Sequence, residues 1–313
     1  MDATFLIDKP AGLTSHDVVA AVRRLIGMRR VGHAGTLDPF ATGLLVVSAG
    51  KATRLVQYLI GLDKTYLATV RLGFATDTQD FTGKQITPLV TSKEVTAQEV
   101  SAMLARFTGP QTQTPPMFSA KKVAGERLYK TARAGRVVER PATQIVIHSI
   151  ELMATGDGGA LWCEDGLTHF KMRVRCSSGT YVRTLADDMG RELGTGGHLS
   201  VLRRTAVGSF ELSDAITLER LDSLARGGQL SPRESSGVLS LNDTLPHLAV
   251  LELDAERVRL AINGREVYIS EDEAKNLGQS DQVKLCGEGG VLLAVAGYDR
   301  ERHIVRPRVV IGA

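Results

Sequence analysis

Cysteine is scarce in this chain. Only Cys163, Cys176 and Cys286 occur in 313 residues, none in C-x-x-C spacing. Three unpatterned thiols support neither a disulfide framework nor a zinc site and read as core residues. Aromatics make up 5% of the sequence, with a single tryptophan. No apolar run approaches membrane-spanning length, and the chain enters the strand-like segment 4–7 at once, with no charged and apolar leader ahead of it. The expectation is a cytoplasmic protein with no membrane partner. Gly43 to Lys51 ends in Gly-Lys, but six residues separate its glycines and Ala52 replaces the Ser or Thr of a phosphate-binding loop. Gly194-Thr-Gly-Gly lacks dinucleotide spacing, and the seven histidines include no H-E-x-x-H. Neither cofactor nor metal is indicated.

What is present is a body of ordinary hydrophobic content, 43%, long enough for one large domain and a small one. Net charge is only +3, yet residues 118–140 hold seven Lys or Arg against Glu126 and Glu139. A basic face on a near-neutral body suits a polyanionic partner, although a solvated helix face explains many such runs.

The most informative stretch is Val31-Gly-His-Ala-Gly-Thr-Leu-Asp-Pro-Phe-Ala-Thr-Gly43, which runs into Leu44-Leu-Val-Val47. Three glycines and a proline specify the loop path tightly. Asp38 precedes Pro39, which biases its backbone toward the extended region, and a buried strand behind the loop would hold it rigid. An Asp-Pro turn is usually only a turn. Here the histidine, the glycines and the strand favour a presented carboxylate.

Around this loop the pattern alternates strands and helices. Residues 8–12 read as a turn, and Thr14-Ser15 as an N-cap for a helix over 16–26, closed at Gly27. Residues 51–62 read as helix, 64–73 as a half-buried strand with Tyr66, Ala68, Val70 and Leu72 on one side, 76–83 as a polar turn, and 97–107 as helix. A basic helix is expected over 126–134. Strands are expected at 144–153 and 168–176, a helix from about Tyr181, and a strand over 199–210 with Arg203 and Arg204 exposed. Arg183 in the first turn of its helix is poorly matched to the helix dipole, so a carboxylate partner is a reasonable expectation. Residues 211–245 shift in composition, with Gly227-Gly228 and 231–237 loop-like, and short apolar segments from Leu251 onward suggest a small β domain with a boundary near 245.

Residues 32–39 with Ala41-Thr42-Gly43 closely resemble the catalytic motif of the TruB family of bacterial tRNA pseudouridine synthases. Further motifs of that family are matched in order by Asp8-Lys-Pro-Ala-Gly12 with Thr14-Ser15, Lys64-Thr-Tyr66, Arg71-Leu-Gly73 with Thr76-Asp-Thr78 and Asp80, Pro116-Met-Phe-Ser-Ala-Lys-Lys122, and Gly179-Thr-Tyr-Val-Arg-Thr184. The resemblance implies an α/β (α+β) catalytic domain with a mixed, largely antiparallel sheet over 1–245, carrying an RNA-binding insertion around 109–140. It also implies a PUA-like β domain over 246–313, and conversion of the T-loop uridine at position 55 of tRNA to pseudouridine after base flipping, without a cofactor or an obligatory protein partner.

Carried over by position, Asp38 would be the nucleophile, Tyr66 the aromatic under the base and a possible base for the sugar proton, and Arg183 the partner of Asp38, keeping it ionised. His33 would fill the place of the extruded nucleotide. Asp80 corresponds to a second carboxylate near the arginine, Lys9 and Tyr181 to pocket-lining residues, and Leu202 to an apolar contact with the base. Lys121, Lys122, Arg127 and Lys130 are expected to meet RNA. Two other readings compete. One is an RNA-binding or tRNA-folding protein without chemistry, and the other a sugar-processing hydrolase using Asp38 with Asp80.

Overall fold

A computed structural model describes residues 1–91, 94–119, 138–156, 158–232 and 235–312, with the backbone alone at 122–123 and 126–127. Strand β1, Ala3–Lys9, leads through a turn into helix α1, Ser15–Leu25. Thr14 caps that helix by accepting from Asp17 N, while the Asp17 carboxylate accepts from Thr14 N in return. Strands β2, Val31–His33, and β3, Thr42–Ala49, flank the loop that carries Asp38. Residues 43–49 of β3 are all buried, as its continuous apolar run requires. A 3-10 turn at Gly50–Leu55 followed by helix α2, Val56–Ile60, replaces the single helix expected over 51–62.

Strand β4, Lys64–Leu72, has Lys64, Tyr66, Ala68, Val70 and Leu72 buried, as its alternation predicts. Helix α3, Ala97–Arg106, and strand β5, Gly109–Gln113, follow. Lys122–Val123, β6, pairs antiparallel with Glu126–Arg127, β7. The basic helix expected from residue 126 is therefore wrong at its start, where the two residues form a hairpin arm. The remainder of that helix, with Lys130, lies outside the described residues, as does Lys121 ahead of it.

Strands β8, Thr143–Met153, β9, Leu161–Glu164, and β10, Leu167–Cys176, lead to helix α4, Val182–Glu192, then to β11, Gly197–Val207, and β12, Phe210–Glu211. The segment of shifted composition contains helix α5, Leu218–Arg226, capped by Thr217, and then β13, Val238–Leu239, on either side of the stretches 227–228 and 231–237 expected to be loop-like. Its apolar positions Leu221 and Leu224 are buried, a spacing that composition alone obscures.

These strands build one mixed sheet in the order β13-β1-β3-β11-β4-β10-β8-β5. Within this sheet every pairing between named strands is antiparallel except β3 with β11, where Thr42 and Gly43 face Arg203 and Arg204 in parallel. One face of the larger portion packs on α4 and α3 through Phe170, Met172, Met189, Leu185 and Met103. The other portion packs on α1 and α5 through Phe5, Val18, Val22 and Leu221.

A second sheet, β14 (Ala249–Glu252), β16 (Gln282–Cys286), β17 (Leu292–Asp299), β18 (Ile304–Val310) and β15 (Val267–Tyr268) in that spatial order, forms the C-terminal β unit. Two helices the sequence reading omitted, α6 (Ala255–Ile262) and α7 (Glu271–Leu277), belong to it. Both are short and start on side-chain caps, Asp254 and Ser270, so they leave little periodic signal. Cys286, Leu292, Val295 and Ile311 of this unit share a core with Leu6, Leu44 and Val46 of the first sheet. Cys176 and Cys286 are buried, but Cys163 near the β9 turn is exposed, contrary to its reading as a core thiol.

Candidate active site

The loop between β2 and β3 is pinned from beneath by the corner joining β1 to α1. Ser15 Oγ accepts from Leu37 N at 2.8 Å and lies 3.1 Å from Leu37 O, while Gly12 N donates to Pro39 O at 2.8 Å. Lys9 is fully buried, and its ammonium donates to Pro10 O, Leu13 O and Pro39 O. All three of its donors are thus committed to backbone carbonyls. The structure places Lys9 behind the loop as a clamp and not among the cavity-lining residues expected of it. Burial lowers its pKa to about 8, against the opposing pull of Asp38.

Two glycines of the loop need their freedom. Gly35 sits at φ +98° and Gly43 at φ +100°, where a side chain is strained. At Gly43 a Cβ would also stand 2.2 Å from Arg204 O, so the parallel contact of β3 with β11 requires glycine. Gly32 has open space around it.

Asp38 emerges from this brace toward α4. Its Oδ2 lies 2.8 Å from Arg183 Nε, and Arg183 Nη2 donates to its Oδ1 at 3.2 Å, a two-pronged ion pair. The guanidinium is 4% exposed and also donates to Thr78 O and Phe118 O, both at 2.8 Å. Asp80 Oδ2 stands 3.7 Å from Nη1. Asp80 is itself fixed by Thr78 Oγ1 at 2.8 Å, Thr82 N at 3.0 Å and Thr82 Oγ1 at 2.5 Å, all donating to Oδ1. The turn that carries it is locked to α4 by Thr184 Oγ1 donating to Gln79 Oε1, with Gln79 held at φ +62°. The polar turn of the sequence is thus a support for the arginine.

Burial pushes the Asp38 carboxyl above the usual carboxylate range. Arg183 pulls it down and Asp80 pushes it up. The arginine favours the ionised form, as expected of it, but against a larger desolvation effect. The Asp38 side chain keeps 32% of its surface open, enough to be reached from a cleft.

Two chambers meet at this pair. One, of about 410 Å³, is lined by Lys64, Tyr66, Tyr181, Leu202 and Arg204; the other, of about 530 Å³, by His16, Phe40, Thr78, Asp80 and Phe118. Asp38 and Arg183 border both. Each volume is in the range of small-molecule sites. Tyr66 is 8% exposed, and burial raises its hydroxyl pKa while Arg204 draws it back. Tyr181 caps α4, its backbone gripped on both sides by the Gln113 amide at 2.8 and 3.0 Å. Leu202 projects from β11 into the same chamber.

His33 borders neither chamber. Its ring meets His16 edge-on at 5.5 Å, and burial with the neighbouring His16 and Arg204 lowers its pKa to about 4, so it is neutral at physiological pH. Of the basic residues expected to meet RNA, Lys122 and Arg127 lie on the β6–β7 hairpin backbone.

Sequence reasoning missed Arg204. Expected on the surface, it is 1% exposed, donating to Leu44 O at 2.7 Å and Gly35 O at 3.1 Å. The signal was available, because Arg204 is two residues from Leu202 and so shares its face of the strand. Arg203, on the opposite face, pairs with Asp8 at 2.7 Å. By the same alternation, Lys64 shares the face of Tyr66.

Residues 23–182 match the family model described as TruB family pseudouridylate synthase, N-terminal domain, and residues 183–239 match the tRNA pseudouridylate synthase B C-terminal domain. The chain belongs to the TruB family of pseudouridylate synthases. Among the relatives of this TruB-family chain, the tRNA pseudouridine synthase B of Geobacter sulfurreducens is 42% identical over 95% of the chain and 93% of the relative. That of Opitutus terrae is 49% identical over 72% of the chain and 88% of the relative. In fold, the TruB-family chain superposes with a TM-score of 0.72 on a protein of an H/ACA RNP bound to a substrate RNA containing 2′-deoxyuridine, at 21% identity and covering 99% of this chain and 85% of the other. A Cbf5-Nop10-Gar1 complex gives the same TM-score at 23% identity. Among the described residues no helix is long and apolar enough to cross a membrane, and no cluster of His, Cys, Asp and Glu has the makings of a metal site.

Proposed function

We propose that this chain is a tRNA pseudouridine synthase acting on the T-loop uridine at position 55, with Asp38 as its reacting carboxylate. The observation that carries the reading is the Asp38–Arg183 ion pair standing where two nucleotide-sized chambers meet. Relatives over nearly the whole chain are named tRNA pseudouridine synthase B, which supplies the substrate class.

The geometry suits the chemistry. An N-glycoside becomes a C-glycoside, so the base must leave C1′, turn, and rejoin through C5. Asp38 is open to the cleft on one side and held by Arg183 on the other, so it can meet the sugar while its charge is matched. Tyr66 offers an aromatic face for the base, and Leu202 and Tyr181 add apolar surface to the chamber that offsets the stacking lost when the uridine leaves its RNA. Tyr66 is also the group available to take a sugar proton, its acidity set by burial against Arg204. His33 is neutral and fits a place in the RNA stack. The basic segment 118–140 supplies attraction for the T-arm backbone, and the C-terminal β unit, read as a PUA-like module over 246–313, supplies a second RNA surface. A cytoplasmic setting follows from the tRNA substrate.

The test is Asp38→Asn with a T-arm stem-loop. Nucleoside analysis is expected to show pseudouridine with the unaltered chain and none with the variant, while binding of the stem-loop persists. Normal turnover by Asp38→Asn would remove the carboxylate from its role. Binding without pseudouridine by the unaltered chain would favour an RNA-binding protein without chemistry.

A further inference from the structure

The chamber that holds Tyr66 contains more positive charge than an uncharged uridine needs. Lys64 is 6% exposed and Arg204 1% exposed, and both line it beside Arg183. Asp38 is the one carboxylate lining that chamber among the described residues, and it is paired with Arg183. Neither Lys64 nor Arg204 has a carboxylate within ion-pair distance among the described residues. Lys64 Nζ instead donates to Ile60 O and Leu62 O, both at 2.6 Å, and Arg204 is held by Leu44 O and Gly35 O. Carbonyls fix the position of a cation without cancelling its charge.

The two are also neighbours. Arg204 stands opposite Tyr66 in the β11–β4 register, and Lys64 is two residues before Tyr66 on the same face. Both reach toward Gly35, where the position of an absent Cβ is 3.6 Å from Arg204 Nη1 and 3.8 Å from Lys64 Cε. Burying two adjacent cations is costly unless something gains from their field.

The reaction proposed above produces a negative charge at one moment. When the C1′–N1 bond breaks, its electron pair stays with the base, giving a uracil monoanion with charge spread over N1, O2 and O4. This holds whether Asp38 bonds to C1′ or a sugar proton is removed instead. The anion then uses C5 to rebuild the bond to C1′, C5 loses its proton, and N1 takes one up, so no atom is gained or lost.

We propose that Lys64 and Arg204 form the electrostatic seat for the departing uracil anion, fixed in place before the base arrives. The inference rests on the pseudouridine synthase reading, and it adds a role for two residues of the chamber that Asp80 does not line. A seat of this kind stabilises the charge where it develops and needs no rearrangement at that moment.

The experiment compares single-turnover rates on T-arm stem-loops carrying uridine or 5-fluorouridine at the target position, read as loss of the starting nucleoside after digestion. Fluorine stabilises the base anion, so the fluorinated substrate depends less on the seat. Lys64→Met and Arg204→Met are each expected to slow the uridine reaction by about 10²-fold and the 5-fluorouridine reaction about tenfold less. Arg204→Lys, which keeps the charge, is expected to keep the unaltered chain's ratio of the two rates. The ratio is internal to each preparation, so a partly misfolded variant leaves it unchanged. Lys64→Met carries the test if Arg204→Met does not fold.

Equal slowing of both substrates would overturn the proposal. So would equal slowing together with weaker stem-loop binding and a shallower salt dependence, the pattern of a cation pair holding an RNA phosphate. Conversion of uridine by the unaltered chain is measured in the same series. The pseudouridine synthase reading can therefore stand while the anion seat falls.

Discussion

Replacing Arg183 by methionine separates the two influences on Asp38. The guanidinium is 4% exposed and satisfies Asp38, Thr78 O and Phe118 O, with Asp80 close by. Removing one partner of a buried ion pair costs about 3–5 kcal/mol. The lower end applies here, because Asp38 retains 32% of its side-chain surface for water. The midpoint of thermal unfolding should fall by about 5 °C.

The pH dependence carries the sharper test. Burial already raises the Asp38 carboxyl, Arg183 is the largest opposing influence, and Asp80 pushes further upward. Without Arg183 the carboxyl rises again, so more of it is protonated near neutrality and the acid limb of the rate profile moves to higher pH. A carboxyl whose folded pKa exceeds its unfolded one binds its proton more tightly in the native state. Its contribution to stability is therefore favourable at low pH and is lost as pH rises from the unfolded value through the folded one. The variant should be most destabilised, relative to the unaltered chain, at neutral and higher pH. Single-turnover rates and melting temperatures from about pH 5 to about pH 9 measure both effects. An acid limb that stays in place, with the same loss of stability at every pH, would refute the account of the pair.

The loop and the basic segment give two more expectations. Gly43→Ala should cost more than about 3 kcal/mol in urea unfolding, since a left-handed φ costs about 1–2 kcal/mol and the added Cβ would overlap Arg204 O at 2.2 Å. Gly32→Ala, with nothing within 4 Å, should stay within about 0.5 kcal/mol, and equal costs at the two positions would show that the β3–β11 approach is not what demands glycine. Neutralising Lys121, Lys122, Arg127 and Lys130 together should weaken stem-loop binding and lower the slope of log affinity against log salt by about one or more. An unchanged slope would show that this segment faces away from RNA.

Much of this was legible in the sequence because it rested on periodicity and local chemistry. The alternation of 64–72 and of 167–176, the Thr14 cap and the buried run of β3 all appear where their patterns put them. Asp38 stood out because proline and glycines bracket it, and the expectation of a carboxylate partner for Arg183 came from its awkward place in a first turn. What was not legible depends on contacts between distant segments. Arg204 looked like a surface residue because charge was weighed above strand parity, and the carbonyls that hold it come from residues 35 and 44. Lys9 was expected only as a pocket lysine, and its place behind the loop shows in the 3.2 Å contact to Pro39 O, thirty residues away. The weight of burial against pairing at Asp38 depends on how much chain covers it, which no motif records.

The direction of strand pairing was the least legible feature, and it is the one that creates the site. Antiparallel neighbours run along each other for six or more residues on both sides of the seam, as β1 does with β3 and β11 with β4. At the seam itself, β3 and β11 share a parallel register of only two residues, Thr42 with Arg203 and Gly43 with Arg204. Because the strands are parallel there, the residues preceding Thr42 run beside those preceding Arg203. Asp38 and its loop are thereby brought toward Leu202 and the adjacent strand bearing Tyr66. The loop has left the sheet by that point, so the gap it leaves beside β11 is open to become a chamber. Gly43 allows the two backbones to approach closely at the base of this gap, and Arg204 ties its floor to Gly35 and Leu44. The Asp38 carboxylate, on the loop ahead of β3, thus meets the aromatic, apolar and cationic residues of β4 and β11 at a junction held by backbone contacts. Preorganised charge requires a frame held in that way.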